Sequence, residues 1–442
     1  MRLPAAVAAM IFAIPTMVAA QTPRFTPTYL GDFLAGRINE SDEMISRVTI
    51  AGASRAIVAR PGQAYDVLPL PEGMQSSWAN DINDQGVVVG QVGPFSSPEF
   101  TPQAVVWTPL GGGNYSVTPL GALPGHTVSV ASAINGLGDI VGYSESGGFR
   151  TAVQFRGPGD VVDLSPYGIF DPVDINDQRV LVDHSFTAKR LDLDTMIAED
   201  LGVPNPLGGP SYLATQAAAI NESNQVAGAA ILAAGGNSDR QVAWYTDGVG
   251  WQILNPTGAG NSASDINAAG DMVVRIIITP YLRTAAGALY TLEELIVNDV
   301  GHWFPTSTTA GWLNDSGHIV LWATNPTTGQ SGALLLTPEA STGSPVADLT
   351  SAGLDLAVAP NPFRTGTTIR FTNSTRDVIG VSIYDAAGRR IRDLDAPPVG
   401  DGPRELVWNG RDTQGQSVAS GVYFVRVEAS NGSAIRRVTL VH

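Results

Sequence analysis

An apolar residue, an asparagine, two variable positions, a turn residue and a short apolar run recur along the chain. The copies are RINESDEMIS, DINDQGVVVG, AINGLGDIVG, DINDQRVLVD, AINESNQVAG, DINAAGDMVV and WLNDSGHIVL. Their asparagines are Asn39, Asn83, Asn135, Asn176, Asn221, Asn267 and Asn314, at steps of 44, 52, 41, 45, 46 and 47 residues. A mean step of about 46 falls in the range of four-stranded propeller blades. Three residues after each asparagine stands Asp42, Gly86, Gly138, Arg179, Asn224, Gly270 or Gly317. All of these types except arginine tolerate the left-handed backbone that a short hairpin loop demands. Arg179 therefore predicts a strained or longer turn in the fourth repeat. The asparagine side chain can accept a hydrogen bond from the backbone two residues on and pin the turn. Apolar runs such as Val87-Val88-Val89 then read as buried strands. QAVVWTPL followed by YSVTPL in the second repeat, and QVAWYT followed by WQIL in the fifth, add two more, giving four strands per repeat.

Seven such units can stack openly or close into a ring, and closure leaves only short, protected edges. Thr28-Tyr29-Leu30-Gly31 looks like the end of a repeat yet precedes the first one. An orphan outer strand of this kind is what a seventh blade needs for completion. The expectation is an all-β chain, a seven-bladed β-propeller over residues 21–337 followed by a second β-domain.

The Ile-Asn-x-x-Gly-x-Val-Val-Gly core resembles the extracellular HAF repeats of secreted and surface proteins. The likeness runs over about residues 25–337 and implies a propeller outside the cytoplasm, with no single activity. Asp183, Val274 and Leu321 depart from it where the closing glycine would stand.

Residues 338–353 are rich in Pro, Gly, Ser and Thr and read as a linker. The following residues, 354–442, alternate apolar and polar in short runs separated by turns, which predicts about seven strands and an immunoglobulin-like sandwich. PNPF, VSIYDAAGRRI and LVWNGRDTQGQSVASGVYFVRVEASNG resemble the type A C-terminal sorting domain of the bacterial type IX secretion system. They are equally similar to the Ig-like domain of flagellar hook-capping proteins. The sorting likeness implies secretion machinery as a partner, although the final strand carries arginine where that family usually has lysine.

Composition fits export. Arg2, the apolar stretch Leu3 to Val18 and the small residues Val18-Ala19-Ala20 form a cleavable signal peptide over residues 1–20. No other stretch is apolar for long enough to span a bilayer, so the mature chain is read as lacking a transmembrane segment and as extracellular or on the outer surface of a bacterium. A formal charge of −16 repels phosphate backbones, which excludes nucleic acid as a partner. The absence of cysteine removes disulfides, thiolate metal sites and cysteine nucleophiles.

Chemistry is sparse. The five histidines form no HExxH pair, Lys189 follows no phosphate-binding loop, and no G-x-S-x-G elbow occurs. Asp192 and Asp194 offer a weak Ca²⁺ pair without the glycine and terminal glutamate of an EF-hand loop, so no cofactor is expected. Asp81, Asp84, Asp174, Asp177, Asp265 and Asp315 supply carboxylates that different blades can bring together, as a glycosidase requires. Their place beside the repeat asparagine equally suits turns and strand ends. Trp107 and Trp244 recur at one blade position and read as core. Trp78, His126, Tyr212, His302 and Trp303 precede repeat strands and would gather on one rim, where aromatic faces stack on sugars. The sequence thus points to a non-catalytic surface protein binding a glycan or protein ligand. The alternatives are a polysaccharide hydrolase or lyase using channel carboxylates, and a purely structural scaffold.

Overall fold

The computed structural model describes residues 22–94, 101–205, 210–233, 239–258, 261–277, 279–297, 303–305, 311–325, 327–339, 354–360, 363–373, 378–385, 390–394, 404–419, 421–429 and 432–440. The expected signal peptide and residues 340–353 of the expected linker lie outside this set. The chain divides into two compact units, residues 1–339 and 340–442.

The first unit is the seven-bladed propeller that the repeat predicts. Blades 2 to 6 are four-stranded antiparallel sheets in sequential order. Blade 2 comprises Ser76–Ile82, Val88–Gly93, Gln103–Gly111 and Asn114–Pro119 from axis to rim. Blade 3 opens with Val128–Ile134, blade 4 with Pro172–Ile175, blade 5 with Tyr212–Ile220 and blade 6 with Ser262–Ile266. Blade 1 has Met44–Ile50, Ala53–Ala59 and Asp66–Val67, with its inner edge reduced to a bridge between Ile38 and Met44. Blade 7 combines Trp312–Leu313, Ile319–Thr324 and Ser331–Pro338 with Phe25–Gly31 as its outer strand. The orphan strand at the start of the chain therefore closes the ring, running antiparallel from Phe25↔Pro338 to Gly31↔Ala333.

Local turn chemistry explains the blades. Asp42, Gly86, Gly138, Arg179, Asn224, Gly270 and Gly317 all have positive φ, between 58° and 87°. Arg179 shows the strain expected of it at φ 62°, in a turn no longer than the others. Its guanidinium is held by Asp139 at 2.9 and 3.0 Å and by Asp194 at 2.5 Å. The closing glycine has a different cause. A Cβ on Gly90, Gly142 or Gly228 would lie 2.0, 2.0 or 1.9 Å from the carbonyl oxygen of Trp78, Val130 or Gln216, where the bulged inner strand crowds it. In blade 4 Asp183 stands there instead, fully buried, and accepts the N–H of Asp171 at 2.7 Å.

The apolar core forms seven wedges, one at each blade interface. Trp107 of blade 2 packs with Ile45, Val58 and Leu68 of blade 1; Val320, Ala333 and Leu335 of blade 7 pack with Met44, Ile57 and Ala59 of blade 1. Trp107 is core, as its repeat position suggests, whereas Trp244 is half-buried with the Arg283 guanidinium 3.9 Å above its ring.

The second unit is a sandwich of a three-stranded sheet, Leu354–Ala359, Thr367–Asn373 and Arg404–Trp408, and a four-stranded one. The latter holds Arg390–Leu394, Val378–Asp385, Gly421–Ala429 and Gly432–Leu440. Its centre is Trp408, fully buried against Phe363 and Tyr423 with ring centroids at 5.3 and 4.9 Å.

Candidate functional site

The inner strands meet around the propeller axis, where the repeat asparagines form a closed belt. Each Nδ2 donates to the backbone carbonyl of the next blade's asparagine: Asn39 to Asn83, Asn83 to Asn135, and so on to Asn314, which donates to Asn39. Six of these bonds measure 2.9–3.0 Å and the link from Asn267 to Asn314 3.4 Å. Each Oδ1 meanwhile accepts the N–H four residues on, such as Val87 at 3.0 Å and His318 at 2.8 Å. One side chain thus holds its own turn and ties its blade to the neighbour. Every one of these buried amides has a partner at both its nitrogen and its oxygen, and a paired polar network of this kind stabilises a core.

The residue after the asparagine makes a further link at five of the seven blade junctions, Gly136 and Ala268 having no side chain that can accept. Asp84 accepts from the Glu40 N–H at 3.0 Å, Asp177 from Gly136 at 2.5 Å and Asp315 from Ala268 at 2.6 Å. Glu222 accepts from Asp177 at 2.9 Å, and Glu40 from Asp315 and Ser316. At the ring closure the His318 imidazole meets Asp42 at 2.6 Å.

Two residues before the asparagine, blades 1 to 7 carry Arg37, Asp81, Ala133, Asp174, Ala219, Asp265 and Trp312. The three aspartates accept from the following blade's backbone: Asp81 from Ile134 at 2.8 Å, Asp174 from Ile220 at 2.9 Å and Asp265 from Leu313 at 3.0 Å. Arg37 leaves blade 1 and crosses the axis to blade 4, donating to Asp174 Oδ1 at 3.1 Å and the Val173 carbonyl at 3.4 Å. Its Nε lies 3.6 Å from Asp81. The channel at this level therefore holds one guanidinium among three carboxylates.

Electrostatics follow from that count. Burial opposes the Arg37 charge, but Asp174, Asp81 and Asp265 together hold its pKa above the ordinary value. Burial pushes Asp81 up to about 6 against the pull of Arg37. Asp265, buried and with no ion-pair partner among the described residues, rises to about 7. Both carboxyls hold protons more tightly folded than unfolded, where an aspartate titrates near ~4. Their contribution to stability is complete below that value and disappears as pH rises through about 6 and about 7. The melting temperature is therefore expected to fall between pH 5 and pH 8, and Asp265→Asn to flatten the fall. Melts of both proteins across that range check this; an unchanged slope in the variant would refute it.

The aromatic candidates are more dispersed. Trp78 is half-buried in the inner strand of blade 2. His126 precedes the inner strand of blade 3, its Nδ1 buried and without a hydrogen-bond partner among the described residues. Tyr212 opens the inner strand of blade 5 and donates its hydroxyl to Gln241 at 2.5 Å. These three share the rim at which inner strands begin. Trp303 lies flat on Tyr29, at 5.3 Å and 15°, packed against the wedge between blades 6 and 7. His302 lies outside the described residues. The Ca²⁺ pair is occupied by the chain itself, Asp192 accepting from the Asp194 and Thr195 N–H groups and Asp194 pairing with Arg179. Sequence reasoning missed Arg37, whose signal was a lone basic residue at a register position that is acidic in three other repeats.

Comparison with known proteins identifies one segment. Residues 362–433 match the family model of the FlgD Ig-like domain, which lies within the second unit. No curated protein matches the chain. Among solved structures, PorZ, described as an essential bacterial surface component of the type-IX secretion system of Porphyromonas gingivalis, aligns at 17% identity with a TM-score of 0.31. The alignment covers 93% of this chain and 66% of PorZ. Latent PorU from Porphyromonas gingivalis aligns at 12% identity with a TM-score of 0.18, covering 95% of this chain and 34% of PorU. The tricorn protease aligns at 10% identity with a TM-score of 0.26, covering 90% and 38%. TM-scores of this size attach nothing of those proteins' roles to this chain. The likeness to the FlgD Ig-like domain is confined to residues 362–433.

Proposed function

We propose that the chain is an exported bacterial protein whose propeller binds a glycan or protein ligand at or beyond the cell surface without transforming it. The observation that carries this reading is the employment of the channel acids. Asp81, Asp174 and Asp265 brace the following blade, and Asp84, Asp177 and Asp315 brace the preceding one. Carboxylates fixed to backbone N–H groups hold blades together, whereas a glycosidase pair must face the scissile bond. The export pattern at residues 1–20 and the HAF-like repeats support a location outside the cytoplasm. The Ig-like unit serves as the sorting or attachment module in this reading, by its likeness to type IX sorting domains.

A second reading has one observation in its favour. Asp81 at about 6 and Asp265 at about 7 lie where a general acid works near neutral pH, which suits a polysaccharide hydrolase or lyase. One experiment separates the two. The chain from Gln21 is incubated with insoluble and soluble polysaccharides, scoring retention and new reducing ends in the same tubes. Retention without cleavage is expected. New reducing ends lost in Asp265→Asn would replace the binding reading with the enzymatic one, and neither signal would leave a scaffold.

A further inference from the structure

Between blades 4 and 5 lies a cavity of ≈ 630 Å³, outside the channel. We infer that it is a binding site for a short neutral oligosaccharide; this deepens the binding reading above and rests on it.

The volume falls within the few hundred to one thousand Å³ of ligand pockets. Its walls come from three separate segments: Leu201 and Asn205 in the crossover between the blades, Tyr212 on the inner strand of blade 5, and Tyr245, Trp251 and Ile253 on its outer hairpin. Tyr245 and Trp251 meet edge to face, with centroids 5.6 Å apart and planes at 69°, which makes a rigid two-walled corner. The corner is braced without a ligand. Trp251 Nε1 donates to the Leu201 and Gly202 carbonyls at 2.9 and 3.1 Å, tying the outer hairpin to the crossover.

Those bonds also select the ligand. With the indole N–H committed, Trp251 has only its ring to contribute, and the C–H face of a pyranose packs on such a surface. A proline-rich peptide, which also packs on aromatic walls, is the competing occupant and enters the test below as such. Anions are disfavoured. The nearby cation Arg190, 5.4 Å from the Tyr245 ring, is saturated by Asp247 at 2.7 Å, by Glu199 and by the Asn224 carbonyl at 2.9 Å. An uncharged, hydroxyl-bearing molecule fits these walls, with ring faces for its C–H surface and the Asn205 amide as a polar partner.

The test is titration calorimetry on the chain from Gln21 with cellotriose, maltotriose and chitotriose, beside trigalacturonate and a proline-rich decapeptide. At least one neutral trisaccharide is expected to bind, weakened at least about tenfold by Tyr245→Ala and about threefold by Asn205→Ala. Asn205 is exposed, so its variant stays informative should Tyr245→Ala misfold. Phe149→Ala, on a distant hairpin tip, should leave affinity unchanged. Sugar binding indifferent to both cavity variants but lost in Trp78→Ala would overturn the cavity and leave the binding reading intact. Binding of the anionic sugar or the peptide alone would overturn the ligand class. No binding by any probe would overturn the site, while the polysaccharide retention assay judges the broader reading separately.

Discussion

Arg37→Met is expected to destabilise the propeller by about 3–5 kcal/mol at pH 8, because removing one member of a buried ion cluster leaves the others uncompensated. Three carboxylates converge on this guanidinium, Asp174 at 3.1 Å and Asp81 at 3.6 Å directly and Asp265 through the field. Methionine retains much of the stem's packing, so the loss reads the charge. At pH 5 Asp81 and Asp265 take up protons, since burial already holds them near 6 and 7. The deficit should therefore shrink markedly there. Urea unfolding at both pH values measures it. An equal loss at pH 5 and pH 8 would mean that Arg37 acts by packing across the channel and not by neutralising it. Adding Asp174→Asn to Arg37→Met should recover part of the loss at pH 8.

Removing residues 22–31 is expected to open the ring, an effect larger than that of any single substitution. Phe25–Gly31 pairs along Ser331–Pro338 and covers Leu334 and Leu336, both fully buried. Its first residue is buried in the wedge between blades 6 and 7, and its carbonyl accepts the Val297 N–H at 2.9 Å. Loss of a buried phenylalanine alone costs about 3–5 kcal/mol, and an uncovered strand edge invites pairing between molecules. The truncated chain should elute as larger species and be cleaved rapidly in blade 7 by a protease, with a synthetic peptide of residues 22–33 restoring monomer and resistance. A truncated chain that stays monomeric and melts at the original temperature would show that inter-blade packing closes the ring unaided.

Much of this fold was legible because its instructions are local. The seven asparagines could be counted along the chain, the left-handed positions followed from residue type, and the stray Thr28-Tyr29-Leu30-Gly31 announced its place by resembling a repeat end. The strain expected at Arg179 was also readable, since arginine stands where the other repeats have glycine, asparagine or aspartate. The Ig-like block at the C-terminus carried enough of its own pattern to be matched as a family. The aspartates were visible as a set, but their partners were not. Asp81 and Asp84 lie on either side of one asparagine, yet one bonds forward to blade 3 and the other backward to blade 1.

Period and residue type thus determined seven antiparallel units, their turns and the strand that joins the last to the first, because hairpins are decided by neighbours a few residues apart. Tertiary structure alone decided that the asparagine amides link into one belt, that Arg37 reaches Asp174 across the axis, and that Trp251 of blade 5 meets Leu201 beyond blade 4 to line a cavity. Each of these contacts joins residues brought together by ring closure or by the packing of one blade on the next. Their separations, 275 residues for Asn314 and Asn39 and 137 for Arg37 and Asp174, leave no trace in a linear pattern.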